Sequence, residues 1–505
     1  MGNCGFGNSI SMRLFVTVFL CLLPFFSFAA EKVFDFNARC QQAYDAVMQL
    51  RMNDAKALLD AEKQEHPDNL IPYYIDNYRD FFPLFFNEDP ALYNASKGHR
   101  SERLDLMAAG PSSSPYYLFT QAAIRFQWAF VKLKFGEKWD AVWDIRKAYV
   151  MLKDNQRRFP GFTPNSLLLG AMQAVFGTIP DGYKWITNIL GMRGNIQQGM
   201  AMVQRFVSST DPNAQLFKEE SYYYYCYLKV FIENKPDEAF AFMQQRQLDT
   251  RNNFLFALMV ANLSMNNQRA DMGIRVLENR DDHASYLELP YTNYLMGVMK
   301  LERQDTDAAA YLEKFVTQFK GKFYVKEAYQ RLSWAYLLQG RMDQAKRYRE
   351  AVLTHGNTET DADKQAQKDA KSGHWPHPAL LKARLLSDGG FFNEAMKVLL
   401  TVHAADFPAM EDKLEYAYRM GRVLDEMGQE DKAIAMYTAT IRVGANRPEY
   451  YAARAALQMG YIYERRNDKS KAAECYRTCI SMPDHDYKNS LDHRAKAGLE
   501  RLGMD

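Results

Sequence analysis

Apolar positions recur with a period near 3.6 in blocks of roughly ten to twenty residues, separated by Gly, Pro and short polar turns, and no stretch alternates as a strand would. This predicts a chain of helices, and the blocks come in pairs. Residues 221–233 precede 236–247, 253–265 precede 268–279, and 291–303 precede 307–319; 324–338 precede a helix bearing Ala345 after a turn at Gly340. Near the start, Ala43 and Ala55-x3-Leu59 flank the polar turn Met52-Asn53-Asp54. From residue 71 to 135 the pairs give way to longer helices dense in rings, at Phe81-Phe82-Pro83-Leu84-Phe85-Phe86 and Tyr116-Tyr117-Leu118-Phe119. Such density predicts the interior of stacked helix pairs, with a sugar-stacking platform as the alternative. Residues 110–115 form a connector, with Ser114 as N-cap and Pro115 at the first helical position.

The last hundred residues are the most regular. Ala417-x2-Met420-Gly421-x2-Leu424 with Ala433-x3-Tyr437 recurs 39 residues later as Ala456-x2-Met459-Gly460-x2-Tyr463 with Ala472-x3-Tyr476. Small residues are required where two helices cross closely, and an aromatic four positions after Ala falls on the same face. The pattern resembles the tetratricopeptide repeat, a helix-turn-helix of roughly 34 residues. That resemblance implies an all-α, right-handed α-solenoid of stacked repeats whose concave face binds protein or peptide partners. Residues 491–502, apolar on one side and charged on the other, suit the capping helix such a stack needs.

Taking Gly421 and Gly460 as the eighth repeat position places Tyr418, Arg422 and Asp425 on one stripe and Arg454, Tyr461 and Arg465 on the next. Gly390, as a turn residue, adds Arg384 and Asp388 from the repeat before. These eight are the expected groove residues, suited to an extended peptide of mixed charge with an aromatic anchor. Relatives that clamp a terminal carboxylate use a Lys and two Asn on this stripe, so that ligand is not expected.

Gly and Pro interrupt residues 170–199, predicting a short amphipathic helix over 183–190. This stretch resembles the central segment of the Iml2/tetratricopeptide-39 family, which implies an all-helical interaction protein. Residues 355–378 are polar and read as a linker, with 358–371 either a charged exposed helix or a loop and Trp375 marking where the chain docks again. The resulting division is 1–29 signal, 30–160 aromatic-rich helices, 161–210 broken segment, 211–354 middle repeats, 355–378 linker and 379–505 terminal repeats.

The opening differs in kind: Met12-Arg13 precedes an apolar run over 14–26, and Ser27-Phe28-Ala29 supplies small residues for cleavage after Ala29. Pro24 and the short length argue against a membrane span, and Leu20 stands where a lipoprotein signal at Cys21 wants a small residue. Export across the inner membrane follows, to the periplasm or to peripheral association with the outer membrane. Aromatics at 14% exclude disorder. The net charge of +2 falls to +1 without Arg13, and no Lys/Arg block suggests nucleic acid. Four cysteines remain; Cys475 and Cys479, one turn apart, are read as core residues, the alternative being zinc with His485 and His493. Phosphate-loop, zinc-protease, serine-hydrolase and calcium-loop motifs are absent. The sequence therefore reads as a non-enzymatic adaptor needing no cofactor, with an exported glycan-binding protein as the alternative.

Overall fold

The computed structural model describes residues 31–178, 191, 192 and 194–504. The signal segment 1–29 and the helix expected over 183–190 lie outside the described residues. Among the described residues all regular structure is helical, apart from isolated bridges joining Val33 to Asn69 and Arg51 to Tyr286. The chain is an all-α solenoid built as two stacks that meet at a seam.

The first stack contains α1 Ala38–Met48, α2 Met52–Glu65, α3 Ile71–Asn87, α4 Pro90–Ser96, α5 His99–Ala108, α6 Tyr116–Lys134, α7 Lys138–Arg158, α8 Pro164–Phe176 and α9 Ile196–Val207. It continues through α10 Pro212–Leu216, α11 Lys218–Phe231, α12 Pro236–Gln245, α13 Phe254–Asn266, α14 Ala270–Glu278, α15 Tyr291–Arg303, α16 Ala308–Gln318, α17 Val325–Leu338 and α18 Met342–Thr354. One apolar core runs from Cys40 to Ala345, so residues 160 and 210 mark no break in packing. The ring-rich helices supply its centre. Tyr44 and Tyr78 donate hydrogen bonds to the buried Glu220 carboxylate at 2.5 and 3.0 Å, tying α1 and α3 to α11. The Trp128 indole donates to Asn77 at 2.9 Å.

Next comes α19, Asp361–Ser372, inside the stretch expected to be a linker. It is a helix because both ends are satisfied from outside. Thr360 caps its start, and the Arg349 guanidinium donates to the carbonyls of Asp369, Ala370 and His374 at its end. In return the Asp363 carboxylate accepts the backbone N–H groups of Tyr324 and Glu327 at 2.7 and 3.1 Å, capping α17.

The second stack consists of α20 Pro378–Asp388, α21 Phe392–Leu399, α22 Met410–Glu426, α23 Glu430–Gly444, α24 Tyr451–Arg465, α25 Lys469–Ser481 and α26 Lys488–Leu502. Here the Gly and Tyr landmarks meet. A side chain on Gly421 would come within 2.7 Å of the Tyr437 ring, and one on Gly460 within 2.3 Å of Tyr476, while Ala433 and Ala472 are fully buried. Gly498 of α26 lies against the other edge of Tyr476, and Leu491, Ala495 and Leu499 are buried, so α26 closes the last repeat.

The stacks are joined through α20, which lies across α15 and α17 and contributes Leu381 and Leu385 to the first core. The Ala270 amide donates to the Gly389 carbonyl at 3.2 Å, and Gln268 Nε2 donates to Ser387 O. Gly390 has φ +89°, and a Cβ there would sit 2.0 Å from the Gln268 carbonyl oxygen. Beneath this contact Glu302 is 3% exposed, with one carboxylate oxygen lacking a hydrogen bond and Arg331 Nη1 3.8 Å from the other. Burial pushes the Glu302 carboxyl up to about 8 despite Arg331.

Gly390→Ala should cost about 2 to 4 kcal/mol, from overpacking plus left-handed strain. Gly340→Ala shares the positive φ but meets nothing within 4 Å, and should cost only about 1 kcal/mol. Denaturant melts of the two variants measure the contact alone; equal losses would count against a tight seam. Because Glu302 holds its proton to higher pH when folded, stability should decline as pH rises from about 4.5 toward 8. Glu302→Gln should therefore melt well above wild type at pH 8, by up to a few kcal/mol in stability, and converge with it near pH 5; parallel melting curves would contradict this.

Candidate binding recess at the seam

The two stacks enclose a cavity of about 200 Å³. One wall is Trp334 of α17, Arg349 of α18 and Asp369 of α19; the other is Arg384 of α20, Glu411 and Glu415 of α22, and Tyr450 and Tyr487 at the mouths of the last two repeats. Trp375 in the connector after α19 completes the lining. The volume is below the roughly 300 to 1,000 Å³ of small-molecule sites, and it suits a single large side chain.

Aromatic rings and arginines alternate around the recess. The Arg384 guanidinium lies 5.0 Å from the centre of the Trp334 ring, Arg331 lies 5.3 Å from it, and Arg349 covers Trp375 at 4.6 Å. Tyr450 meets Tyr487 edge-on at 5.2 Å. Burial and the neighbouring Tyr450 push the Tyr487 hydroxyl above its ordinary value, while Arg384 and Arg454 pull against them; Arg454 lies one turn beyond Tyr450 on α24.

The partners of these two arginines are few. Among the described residues the Arg384 guanidinium has one ion-pair partner, Asp388 at 3.6 Å, and the Arg454 side chain makes no hydrogen bond or ion pair; its Nε is buried and unpaired. Most acids of the lining are engaged: Glu415 by Arg419 at 2.9 Å, Glu449 by Arg447, Asp486 by Lys368, and Asp369 by Gln330. Among the described residues Glu411 makes no such contact, and burial raises its carboxyl against the opposing His374. Asp412 is raised likewise, with His374 3.7 Å away. The recess thus offers aromatic walls, one under-partnered arginine and one loose carboxylate.

Of the eight groove residues expected from the repeat, Arg384 lines the recess, and Arg454 lies outside the lining, one turn beyond Tyr450. Asp388 sits at the end of α20 as the neighbour of Arg384. Tyr418 is 2% exposed, packed among Tyr437, Tyr450 and Tyr451. Arg422 pairs with Glu426 at 2.7 Å. Tyr461 is half-buried, 5.9 Å from Tyr476.

Asp425 and Arg465 belong to a device that repeats along the stack. The Tyr437 hydroxyl donates to Asp425 at 3.5 Å, and Arg465 from the next first helix reaches the same carboxylate at 2.6 Å. One repeat on, Tyr476 donates to Glu464 at 2.5 Å and Arg501 donates to it at 2.9 Å. Each acid is held by its own second helix and by the following repeat. These side chains fasten repeats together and present little to a ligand.

Trp334, Trp375, Tyr450 and Tyr487 escaped sequence reasoning because they come from both stacks and share no repeat register. Trp375, flanked by His374 and Pro376, was the available signal. The aromatic N-terminal clusters use their rings on each other: Phe81 stacks on Phe85 at 5.4 Å and Tyr116 meets Phe162 at 5.0 Å. Among the described residues no group of three or more His, Cys, Asp or Glu is placed to hold a metal ion, and Cys475 and Cys479 are free and buried.

The tetratricopeptide-repeat family profile matches residues 326–354 and 453–485, which are α17 with α18 and α24 with α25. Neither match reaches 170–199, where the Iml2/tetratricopeptide-39 resemblance was placed. No curated protein sequence matches the chain. Similar solved structures include the tetratricopeptide-repeat domain of P58(IPK), 14% identical over 81% of this chain and 95% of that one, with TM-score 0.22. Yeast Tom70 is 12% identical over 93% and 97%, with TM-score 0.25. The two profile matches fall on helix pairs with the packing described above, so the chain carries tetratricopeptide repeats at 326–354 and 453–485.

Proposed function

We propose that this chain is an exported, non-enzymatic scaffold of the bacterial cell envelope that holds an extended peptide at the seam between its stacks. An acidic side chain of the peptide meets Arg384 and Arg454, and an aromatic or large apolar side chain fills the recess against Trp334 and Trp375. The observation that carries this reading is Arg384, loosely paired with Asp388, in an aromatic recess of side-chain size, with the unpaired Arg454 one turn beyond the lining residue Tyr450. Charged donors facing Tyr and Trp are typical of residues that dominate interfaces. Tetratricopeptide-repeat scaffolds generally bind protein partners. Placement beyond the inner membrane rests on the apolar run over 14–26 and the small residues before Ala30.

Panning a random peptide library on the purified protein should select sequences with an acidic residue near an aromatic one. Arg384→Ala with Arg454→Ala should weaken a selected peptide by at least roughly 2 kcal/mol with the helical signal unchanged. Arg422→Ala with Tyr461→Ala should do less. Peptides that bind the first double variant as tightly as wild type would remove the site from the seam. Export is tested separately: Leu20→Arg should retain the chain in the cytoplasm, since a charge in so short an apolar run opposes insertion by a few kcal/mol. A mature chain beginning at an acylated Cys21 would overturn the signal assignment.

A further inference from the structure

The outward face of α7 has a composition unlike the rest of the surface. Trp139 is 75% exposed, Trp143 50% and Val150 50%, three positions that fall on one side of the helix at i, i+4 and i+11. They extend roughly 16 Å along it. Lys147 and Lys153, on the same side, are exposed and make no ion pair among the described residues. The opposite side packs inward through Ala141, Ala148 and Leu152, all fully buried. Leu133 and Leu92, each 38% exposed, belong to the helices that meet at the start of α7, where Tyr93 stacks on Phe135 at 4.0 Å.

The charge of this helix is equally uneven. It carries six Lys or Arg against three Asp or Glu, a surplus of three where the whole chain has two. One of the three acids, Asp144, is buried, with Arg100, Arg125 and Lys132 from other helices converging on it. The exposed face is therefore both aromatic and cationic.

We propose that this face of α7 docks on an anionic phospholipid surface, the two tryptophans entering the headgroup layer and the lysines meeting lipid phosphates. Tryptophan favours that layer because its ring is apolar with one polar edge, and lysine stems lie along the apolar surface while their ammonium groups stay in water. A second copy of the chain would set like charges against each other, and a neutral sugar would leave the cations without a role. The attachment is peripheral: no helix among the described residues is long and apolar enough to cross a membrane.

The test uses the protein from Glu31 onward, whose packing is described above, so that residues 14–26 take no part. It should cosediment with phosphatidylcholine vesicles containing one quarter phosphatidylglycerol, far less with pure phosphatidylcholine, and be released by salt. Trp139→Ser with Trp143→Ser should lower the partition coefficient at least about tenfold with unchanged helical signal. Phe231→Ser, 53% exposed elsewhere, should leave it unchanged. Absence of binding to the anionic vesicles, equal binding to pure phosphatidylcholine, or equal binding by the tryptophan variant would overturn the proposal. So would tryptophan-dependent binding to a glycan array or single-stranded DNA without binding to vesicles.

Discussion

Everything distinctive about this molecule depends on one close approach, the backbone of Gly390 resting on the carbonyl of Gln268. A solenoid made only of neighbouring repeats would continue in one direction, because each unit touches only the one before and after it. Here α20 instead crosses back over α15 and α17, and the later repeats grow from that crossing. The recess exists because two stacks face each other across the seam. Its walls are assembled from residues far apart in the chain, and the buried Glu302 carboxyl below the crossing records how fully water has been removed.

Repeat packing was legible from residue spacing. Gly421 under Tyr437 and Gly460 under Tyr476 are the contacts that the small-residue and aromatic landmarks require, and local periodicity is sufficient to find them. The groove was legible only in part. Arg384 reaches the seam, but Tyr418 and Asp425, on the corresponding stripe of a later repeat by count, turn into the stack. Counting places a residue on a helix face; which neighbour covers that face depends on the turn between helices and on the next repeat. Asp425 shows this, since its carboxylate is taken by a tyrosine twelve residues later and an arginine forty residues later.

The polar stretch after α18 teaches a related lesson. Composition alone cannot distinguish a solvated tether from a docked helix when the helix is held by its ends. Only Asp363 and Ala366 of α19 are buried, so no apolar stripe announces it. What holds it is reciprocal satisfaction of backbone groups: Arg349 on one set of carbonyls, Asp363 on another helix's amides. Those partners are invisible until the fold places them.

The four described cysteines are spread along the chain, Cys40 in α1, Cys226 in α11, Cys475 and Cys479 in α25, and all are buried and free. Burial pushes their thiols up to about 12, 12, 11 and 12, far from the thiolate form that attacks or is oxidised. Among the described residues, therefore, neither stack relies on a crosslink. The same silence makes each thiol a local reporter. An alkylating reagent can reach one only when its own helix opens, so the order in which the four are modified reads out whether the first stack or the last repeat yields first.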